Sequence, residues 1–414
     1  MMSEPSGKPV VLKTLIILGD GMADFPIPEL QSRTPLMAAH TPAMDFLARE
    51  GCTGQFLTVE EDLPPGSEIA NLTVLGYDPH KVCQGRGVLE AASLGVTLAP
   101  EDVAMRVNLI CVEEGHIRSH SAGHISNEEA HTLIRDLQAH FAAWSICLTP
   151  GLSYRHLLVI PGGNPRLECA PPHDHVGEAI SGLLVKPRLP EATATAELLN
   201  RLIAESQVFL EAHPLNRARV ATGKQPANAL WPWSPGRRPQ MSTFQERFGV
   251  RGAVITAVDL IKGLGIYAGM EIIPVEGATG LYDTNYEGKA DAALAALEDH
   301  DLVYVHVEAP DEAGHARDLA LKIRCIEDLD RRLIQRLLDG LGPRLEETIV
   351  AVLPDHPTPV ATGNHVHGPV PVAIRDPRHA PDAVQRYDEE SIKAGALGFL
   401  RGAQFIERVV MNRG

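Results

Sequence analysis

Aspartate and histidine concentrate in three short segments of the sequence. The segments are Leu18-Gly19-Asp20-Gly21-Met22, Glu308-Ala309-Pro310-Asp311-Glu312-Ala313-Gly314-His315 and Leu353-Pro354-Asp355-His356-Pro357-Thr358, with His365-Val366-His367-Gly368-Pro369 close behind the third. Carboxylate oxygens combined with imidazole nitrogens suit Zn²⁺ or Mn²⁺ better than Ca²⁺, which prefers oxygen ligands alone. Cysteine is absent from all of these segments, which disfavours a closed structural zinc site. Their composition therefore predicts an open site for divalent cations.

The spacing within two of the segments supports this prediction. Asp311 and His315 are four residues apart, so one helical turn places a carboxylate and an imidazole on the same face. Asp355 and His356 are adjacent, and a turn can direct both side chains to one point.

A fourth segment supplies a nucleophile. Ser67 follows Pro64-Pro65-Gly66 and precedes a run with helical spacing, which predicts a serine at a helix N-terminus. Backbone N–H groups and the helix dipole favour an alkoxide or a phosphate there, and a nearby metal ion lowers the pKa of a hydroxyl group enough for attack.

Each signal taken alone has a purely structural alternative. Ser67 can be an ordinary N-cap, and Asp20 can be a turn residue that ends a strand. A single Asp-x-x-x-His can be a solvated pair on a helix, and the imidazoles of His365 and His367 can lie on the surface. The functional hypothesis depends on all four segments occurring together.

Buried strands are predicted directly before the three Asp/His segments. The strands are the apolar runs Leu15–Leu18, Leu302–Val307 and Ile349–Leu353. Between the last two, apolar residues recur every three or four positions and predict a long amphipathic helix, with a stop at Gly340, Gly342 and Pro343: Leu319, Ile323, Ile326, Leu329, Leu333 and Leu337. A further helix is predicted over Pro35 to Glu50. Strand, helix and strand in this order indicate an α/β fold with a mainly parallel sheet flanked by helices, whose ligands bind at the strand ends.

The middle of the chain has a different pattern of predicted elements. It contains short predicted strands (Met105 to Val112 and His156 to Ile160), a helix near Glu197 to Glu211, and the loop signature Trp231-Pro232-Trp233-Ser234-Pro235. We expect an inserted α+β domain over residues 95–235, within a discontinuous catalytic domain of residues 1–94 and 236–414. The two tryptophans are expected to cover the junction between the domains.

Composition limits the classes of partner. The 414 residues are 44% hydrophobic, and 37 Lys and Arg against 53 Asp and Glu give a net charge of −16. So acidic a chain is not expected to bind nucleic acid or an anionic membrane surface. No apolar stretch approaches the ~20 residues that cross a bilayer. Six scattered cysteines, and Glu4 and Lys8 near the N-terminus in place of a secretory signal, favour the cytoplasm.

Together, the motifs resemble those of a known family. The segments that carry the resemblance are Gly19-Asp20-Gly21-Met22-Ala23-Asp24, Gly66-Ser67-Glu68, Asp311-Glu312-Ala313-Gly314-His315, Pro354-Asp355-His356 and His365-Val366-His367-Gly368-Pro369-Val370-Pro371. They are similar to those of the cofactor-independent phosphoglycerate mutases, most closely the archaeal-type branch, within the alkaline phosphatase superfamily. The resemblance spans nearly the whole chain and implies an alkaline phosphatase-like core, with the inserted domain as a lid.

The resemblance also implies two divalent cations, commonly Mn²⁺, beside the serine; Zn²⁺, Co²⁺ and Mg²⁺ are alternatives. One cation would be held by Asp311, His315 and His365, and the other by Asp20, Asp355, His356 and the Ser67 oxygen. His365 matches the family motif better than His367, but which of the two binds stays open. With these cations in place, the carboxylates Asp20, Asp311 and Asp355, and Asp24 beside them, would attract a phosphorylated metabolite in spite of the net charge.

The activity that the resemblance implies is the interconversion of 3-phosphoglycerate and 2-phosphoglycerate through a phosphoserine on Ser67, without 2,3-bisphosphoglycerate. Substrate-binding candidates are His120 and His124, which match a cap segment of the family loosely, and the cations Arg86, Arg251 and Lys262. The first alternative uses the same site for phosphoryl transfer to homoserine, since near-relatives are labelled proposed homoserine kinases, or to water. The second alternative is a non-catalytic protein that binds metal or a phosphorylated metabolite.

Overall fold

The computed structural model describes residues 12–83 and 85–411, so Glu4 and Lys8 lie outside the described residues. The chain divides into two compact units. The discontinuous unit comprises Met1–Cys83 and Met241–Gly414, and the inserted unit comprises Gln84–Gln240.

Fifteen strands are present in the described residues. In chain order they are β1 (Lys13–Gly19), β2 (Cys52–Leu57), β3 (Val103–Glu113), β4 (His116–Ser119), β5 (Cys147–Thr149), β6 (Arg155–Ile160), β7 (Leu167–Glu168), β8 (Lys186–Pro187), β9 (Ala229–Arg237), β10 (Gly252–Ile255), β11 (Glu271–Ile272), β12 (Leu302–Val307), β13 (Thr348–Leu353), β14 (Val370–Arg375) and β15 (Gly398–Arg401).

The same residues contain fifteen α-helices. They are α1 (Pro35–Ala38), α2 (Pro42–Arg49), α3 (Ser67–Val74), α4 (Pro79–Val82), α5 (Arg86–Ser93), α6 (Asn127–His140), α7 (Thr193–Ala212), α8 (Pro214–Ala221), α9 (Phe244–Phe248), α10 (Asp259–Tyr267), α11 (Tyr286–Asp299), α12 (Ala309–His315), α13 (Leu319–Asp328), α14 (Gln335–Leu341) and α15 (Gln404–Val410).

The discontinuous unit is built on one eight-stranded sheet in the order β11-β10-β12-β1-β13-β14-β2-β15. All neighbouring strands pair in parallel except β14, which is antiparallel to both of its neighbours. The central strands β12 and β13 are buried along their whole length, which explains why their sequences are continuous apolar runs rather than alternating ones. The prediction of an α/β fold with a mainly parallel sheet is confirmed.

Strand register aligns the carboxyl ends of the three central strands. Leu18 of β1 lies opposite both His306 of β12 and Leu353 of β13. The residues that follow these strands therefore leave the sheet side by side, and the Asp/His segments begin at one edge.

The predicted long helix forms with one irregularity. Helices α13 and α14 are joined by a π-helical turn over Leu329–Ile334. The extra residue of a π-helical turn shifts the phase of the apolar face, and both Leu333 and Ile334 are buried. The helix ends where predicted, with Gly342 at a φ of 49°, in the left-handed half of backbone space that favours glycine.

The single helix predicted over Pro35 to Glu50 is wrong. Two helices form instead, because Pro42 has no backbone N–H to continue α1 and is suited to the first position of a new helix. The apolar spacing still marks the buried side, since Leu36, Ala43 and Leu47 are all in the core.

The inserted unit has its own antiparallel sheet, in which β3 pairs with β4, β6 and β9, and β6 pairs with β5. Its α+β character agrees with the prediction for the middle of the chain. The inserted unit is wider than the predicted interval of residues 95–235 because α5, at Arg86–Ser93, packs on β3 and β9. That residues 95–235 form a separate inserted domain stays a prediction.

The loop predicted for Trp231 to Pro235 is wrong, because these residues lie within β9. Proline is tolerated there because β9 is an edge strand, which among the described strands pairs with β3 alone, with a bulge between Ala104 and Arg106. Trp231 is in the core of the inserted unit, and Trp233 donates its indole N–H to Asn108 Oδ1. The expected role of both tryptophans at the domain junction stays a prediction.

None of the helices in the described part of the chain is both long and apolar enough to cross a membrane. The six cysteines are free thiols.

A buried ion pair links α13 to Asp24, which lies just after the first Asp/His segment. Lys322 Nζ lies 3.0 Å from Asp24 Oδ2 and also donates to the carbonyl oxygens of Ala23 and Thr358, and neither charged side chain is exposed. Asp24, expected near the cations, is therefore neutralised by a lysine instead.

We expect Lys322→Met to lower the free energy of unfolding by about 3 to 5 kcal/mol, because it leaves the Asp24 carboxylate buried without a counter-charge. Adding Asp24→Asn should recover part of this loss. Lys393→Met, which breaks an exposed pair with Glu390, is the control and should cost no more than about 1 kcal/mol. Urea unfolding measures all three, and a Lys322→Met cost as small as that of the control would contradict the assignment.

Candidate active site

Ser67 is the first residue of α3, as the sequence predicts, but it does not cap the helix. Gly66 occupies the N-cap position, and no side chain caps the helix. The Ser67 hydroxyl oxygen instead lies 3.2 Å from His356 Nε2 and 3.4 Å from Asp20 Oδ2. The structural alternative of an N-cap serine is therefore excluded.

A first group of ligand-type side chains consists of Asp311, His315 and His365. Helix α12 places His315 Nε2 3.0 Å from Asp311 Oδ2, and the loop after β13 brings His365 Nε2 within 3.4 Å of Asp311 Oδ1. The His315 ring donates from Nδ1 to the carbonyl oxygen of Gly363 at 2.8 Å, which leaves Nε2 facing the group. His367 is directed elsewhere, with Nε2 2.8 Å from the carbonyl oxygen of Leu63.

A second group lies beside the first and consists of Asp20, Asp355 and His356. His356 Nε2 is 3.5 Å from Asp20 Oδ1 and 3.6 Å from Asp355 Oδ2. The Asp355 carboxylate is oriented by the backbone N–H groups of Gly21 and His356 and by the side-chain amide of Asn71. Asp20 Oδ1 is buried and has no hydrogen-bond partner among the described residues.

The two groups meet so closely that one position must be glycine. Gly21 has a φ of 58°, and a Cβ there would collide with Asp311 Oδ1 and Thr358 Oγ1. The glycine of the first segment thus serves close approach of the backbone to the second.

Buried carboxyl groups outnumber the positive charges around them, and the pKa of two of these groups is raised. Burial raises the pKa of Asp20 well above its usual value, and the charges of Asp355 and Asp311 raise it further. Burial likewise raises the pKa of Glu308 to about 8. At Asp311, burial acts in the same direction, but hydrogen bonds from His315 and His365 outweigh it and lower the pKa. The hydrogen bond to Asp311 raises the pKa of His315 to about 9.

These side chains fit divalent cations. Three carboxylates and three imidazoles converge, and the bare buried oxygen of Asp20 lacks any donor among the residues described. Mixed oxygen and nitrogen donors with no thiolate match Mn²⁺, Zn²⁺ or Mg²⁺ chemistry, and buried like charges are stabilised when a cation binds between them.

Several residues around the site were missed by the sequence analysis. His306, Thr358 and Asn71 are buried and hydrogen-bond to the acidic or imidazole side chains described above, and the buried Tyr304 donates to Asn71 Oδ1. For His306 a signal existed, since it is a polar residue within the otherwise apolar run of β12. Asn71 and Tyr304 have partners 284 and 233 residues away in the chain, and no local pattern marks them. Thr358 ends the third Asp/His segment, and its hydroxyl bonds to Asp311, 47 residues away.

The histidines predicted to bind substrate lie together in the inserted unit. The His120 ring centroid is 6.5 Å from that of His124, 6.3 Å from His173 and 5.6 Å from Tyr154. The turn that carries them is strained, with φ values of 48° at Ala122 and 53° at His124. Burial lowers the pKa of His120 and of His173.

The predicted cations lie in different places. The charge of Arg86, on α5 of the inserted unit, acts on His173, as does that of Arg106. Arg251 is exposed and directly precedes β10, at the amino end of the sheet, so it is not brought to the edge where the other site residues lie. Lys262 lies on α10, which packs on α3, and pairs with Asp259 at 3.1 Å.

A serine at a helix N-terminus among acidic and imidazole side chains, at the carboxyl edge of a mainly parallel sheet, defines an enzyme of the phosphoryl-transfer class. Comparison with known proteins narrows this class. The family model of 2,3-bisphosphoglycerate-independent phosphoglycerate mutase matches residues 48–216. The chain belongs to this family, which confirms the resemblance drawn from the motifs.

Relatives match over nearly the full chain. The 2,3-bisphosphoglycerate-independent phosphoglycerate mutase of Methanosarcina acetivorans is 49% identical over 96% of this chain and 100% of its own. The solved cofactor-independent phosphoglycerate mutase from Thermoplasma acidophilum is 27% identical, with a TM-score of 0.70 over 97% of this chain and 100% of its own. A solved protein from Pyrococcus horikoshii is 32% identical, with a TM-score of 0.84 over 98% of both chains.

The geometry distinguishes the two histidines of the His-x-His pair. We expect His365→Ala to weaken Mn²⁺ binding by more than about 100-fold, because loss of a ligand exceeds the roughly 10- to 100-fold cost of losing an outer-shell partner. His367→Ala is the matched control and should bind Mn²⁺ like the wild type. Calorimetric titration of chelator-treated protein measures both, and the reverse order of affinities would show that His367 is the ligand.

Proposed function

We propose that this chain interconverts 3-phosphoglycerate and 2-phosphoglycerate without 2,3-bisphosphoglycerate, through a phosphoserine on Ser67. The observation that carries the proposal is the Ser67 hydroxyl oxygen, which caps nothing and faces His356 and Asp20 at the N-terminus of α3. Membership of the mutase family, at 49% identity with a relative of that name, supports the same reaction.

In the proposed reaction Ser67 Oγ attacks the phosphorus atom while the bond to the glycerate oxygen breaks, and the serine hydroxyl proton ends on that oxygen. The second step reverses this transfer, with the other glycerate hydroxyl as acceptor. The positive end of the α3 dipole favours the phosphoryl group at this position. Because the transition state is loose, the residues act mainly by positioning the phosphoryl group and stabilising its charge.

We assign two divalent cations, with Mn²⁺ as the preferred ion, to the two groups of side chains. Asp311, His315 and His365 would hold one. Asp20, Asp355, His356 and Ser67 Oγ would hold the other. When bound, the cations would neutralise the phosphoryl oxygens and lower the pKa of the serine hydroxyl.

The inserted unit is proposed to bind the glycerate end of the substrate and to exclude water as a lid. Support comes from the convergence of three imidazoles, His120, His124 and His173, with the guanidinium charge of Arg86 acting on the last. Such donors suit a carboxylate. Water must be excluded between the two steps, because phosphoserine would otherwise hydrolyse and the enzyme would act as a phosphatase. Lys262 stays a further candidate for anion binding.

We also propose that the core is alkaline phosphatase-like and that the protein acts in the cytoplasm. For the second, the support is the set of free thiols, which suits a reducing compartment.

Ser67→Ala should reduce 2-phosphoglycerate formation by roughly 10⁴-fold or more, because no phosphoserine can form. A coupled assay with 3-phosphoglycerate, enolase and Mn²⁺, without 2,3-bisphosphoglycerate, measures this. Thr73→Val, on the same helix with its hydroxyl bonded only to the carbonyl oxygen of Ile69, is the matched control and should remain active. A wild type that releases inorganic phosphate or phosphorylates homoserine, but forms no 2-phosphoglycerate, would refute the proposal.

His120→Ala and His173→Ala should raise KM for 3-phosphoglycerate and increase the share of inorganic phosphate among the products, while Mn²⁺ affinity stays unchanged. The reason is that these side chains are proposed to hold the glycerate and not the cations. His116→Ala, at an exposed position of the same unit, is the control. Unchanged KM and product ratio in both variants would remove the cluster from the substrate site.

A further inference from the structure

Strand β12 places two polar side chains on one face of the sheet, directly beneath the site. Tyr304 and His306 are two residues apart and therefore point to the same side. Both are fully buried, where a polar group is costly unless it is hydrogen-bonded. Tyr304 donates its hydroxyl to Asn71 Oδ1, and the Asn71 amide in turn donates to Asp355 Oδ2 at 2.9 Å. His306 contacts the other buried aspartate.

The two ring nitrogens of His306 have different partners. Nε2 lies 3.0 Å from Asp20 Oδ2, and Nδ1 lies 3.3 Å from Thr256 Oγ1. Thr256 Oγ1 already accepts the backbone N–H of Val258 at 3.1 Å, so its own proton is available for Nδ1. With Nδ1 as acceptor, the ring proton of neutral His306 is on Nε2 and is donated to Asp20. When Asp20 is ionised, as a cation ligand must be, the opposite tautomer would set an imidazole lone pair against a carboxylate oxygen.

This hydrogen bond engages one oxygen of Asp20 and leaves the other bare. Oδ2 accepts from His306, whereas Oδ1 is buried without a partner among the described residues. Ser67 Oγ also lies 3.4 Å from Oδ2, so both hydrogen-bond contacts of the carboxylate are made by that oxygen. The bare oxygen is thus held in one direction.

We propose that His306, held in the Nε2–H tautomer by Thr256, is a positioning residue that orients Asp20 so that Oδ1 faces a divalent cation. The inference rests on the proposed metal role of Asp20 and adds two residues to it. Neither Thr256 nor His306 touches the substrate in this scheme; both act through Asp20.

The competing role for His306 is direct ligation, since Asp20, His306 and Asp355 also form a compact group of donor atoms. Ligation through Nε2 requires a lone pair on that nitrogen, and hence a proton on Nδ1 donated to Thr256. The contact with Asp20 and the donor available at Thr256 favour the positioning role. The two roles predict opposite tautomers, so they can be separated by experiment.

The first experiment is calorimetric titration of chelator-treated protein with Mn²⁺. His306→Met removes the donor, and we expect affinity to fall roughly 10- to 100-fold. His306→Gln places an amide N–H near the position of Nε2 and should restore most of the affinity. Thr256→Val removes the hydroxyl at nearly constant shape and should weaken binding in the same direction, but less. His156→Met replaces a buried histidine of the inserted unit and controls for loss of a core imidazole.

The second experiment measures ¹⁵N shifts of histidine-labelled, Zn²⁺-loaded protein, with the His306 signals assigned by their absence in His306→Gln. Protonated Nε2 and an accepting Nδ1 are expected. A protonated Nδ1, or a His306→Gln variant as weak as His306→Met, would overturn the inference in favour of ligation or a purely structural role.

The outcome for the wild type separates this inference from the proposed function. If the wild type binds no divalent cation, the metal role of Asp20 fails and the inference fails with it. If the wild type binds and His306→Met binds equally well, only the inference fails.

Discussion

The discontinuous unit buries three carboxylates that repel one another at one edge of its sheet, and the structure around them offsets this repulsion. Asp20, Asp311 and Asp355 are almost fully buried and close enough to share imidazole partners. Each would be better solvated in water, and burial raises the pKa of Asp20 for that reason. A fold that brings them together against this cost must supply positive charge, and divalent cations are the most compact source of it.

The fold limits the cost with hydrogen-bond donors and fixed backbone geometry. Backbone N–H groups orient Asp355, the Asn71 amide relays the Tyr304 hydroxyl to it, and imidazoles surround Asp311. Where a carboxylate has no place in the site, a lysine neutralises it, as Lys322 does for Asp24. Part of the net charge of −16 therefore lies on buried carboxylates and not on solvated surface, in groups of Asp and His that could hold a metal ion.

Much of the fold could be predicted from local patterns. The apolar runs of β1, β12 and β13, the helical periodicity from Leu319 to Leu337 and the glycines that end it all appear in the structure. One error was local, because proline lacks a backbone N–H, and the other came from a tertiary constraint. Pro42 began a new helix instead of lying within one, and two prolines were accommodated in β9 because that strand lies at an edge.

By itself, the sequence determined which atoms are available: carboxylates and imidazoles after buried strands, and a serine at the start of a helix. Tertiary structure decided which of them meet. It placed His365 beside Asp311, whereas His367 contacts the carbonyl oxygen of Leu63. It also paired Asp24 with Lys322 and brought His306 into contact with Asp20. The physical reason is that periodicity depends on neighbours in the chain. Contacts between residues as far apart as Asp20 and His306 depend instead on the order and register of strands, which no local pattern encodes.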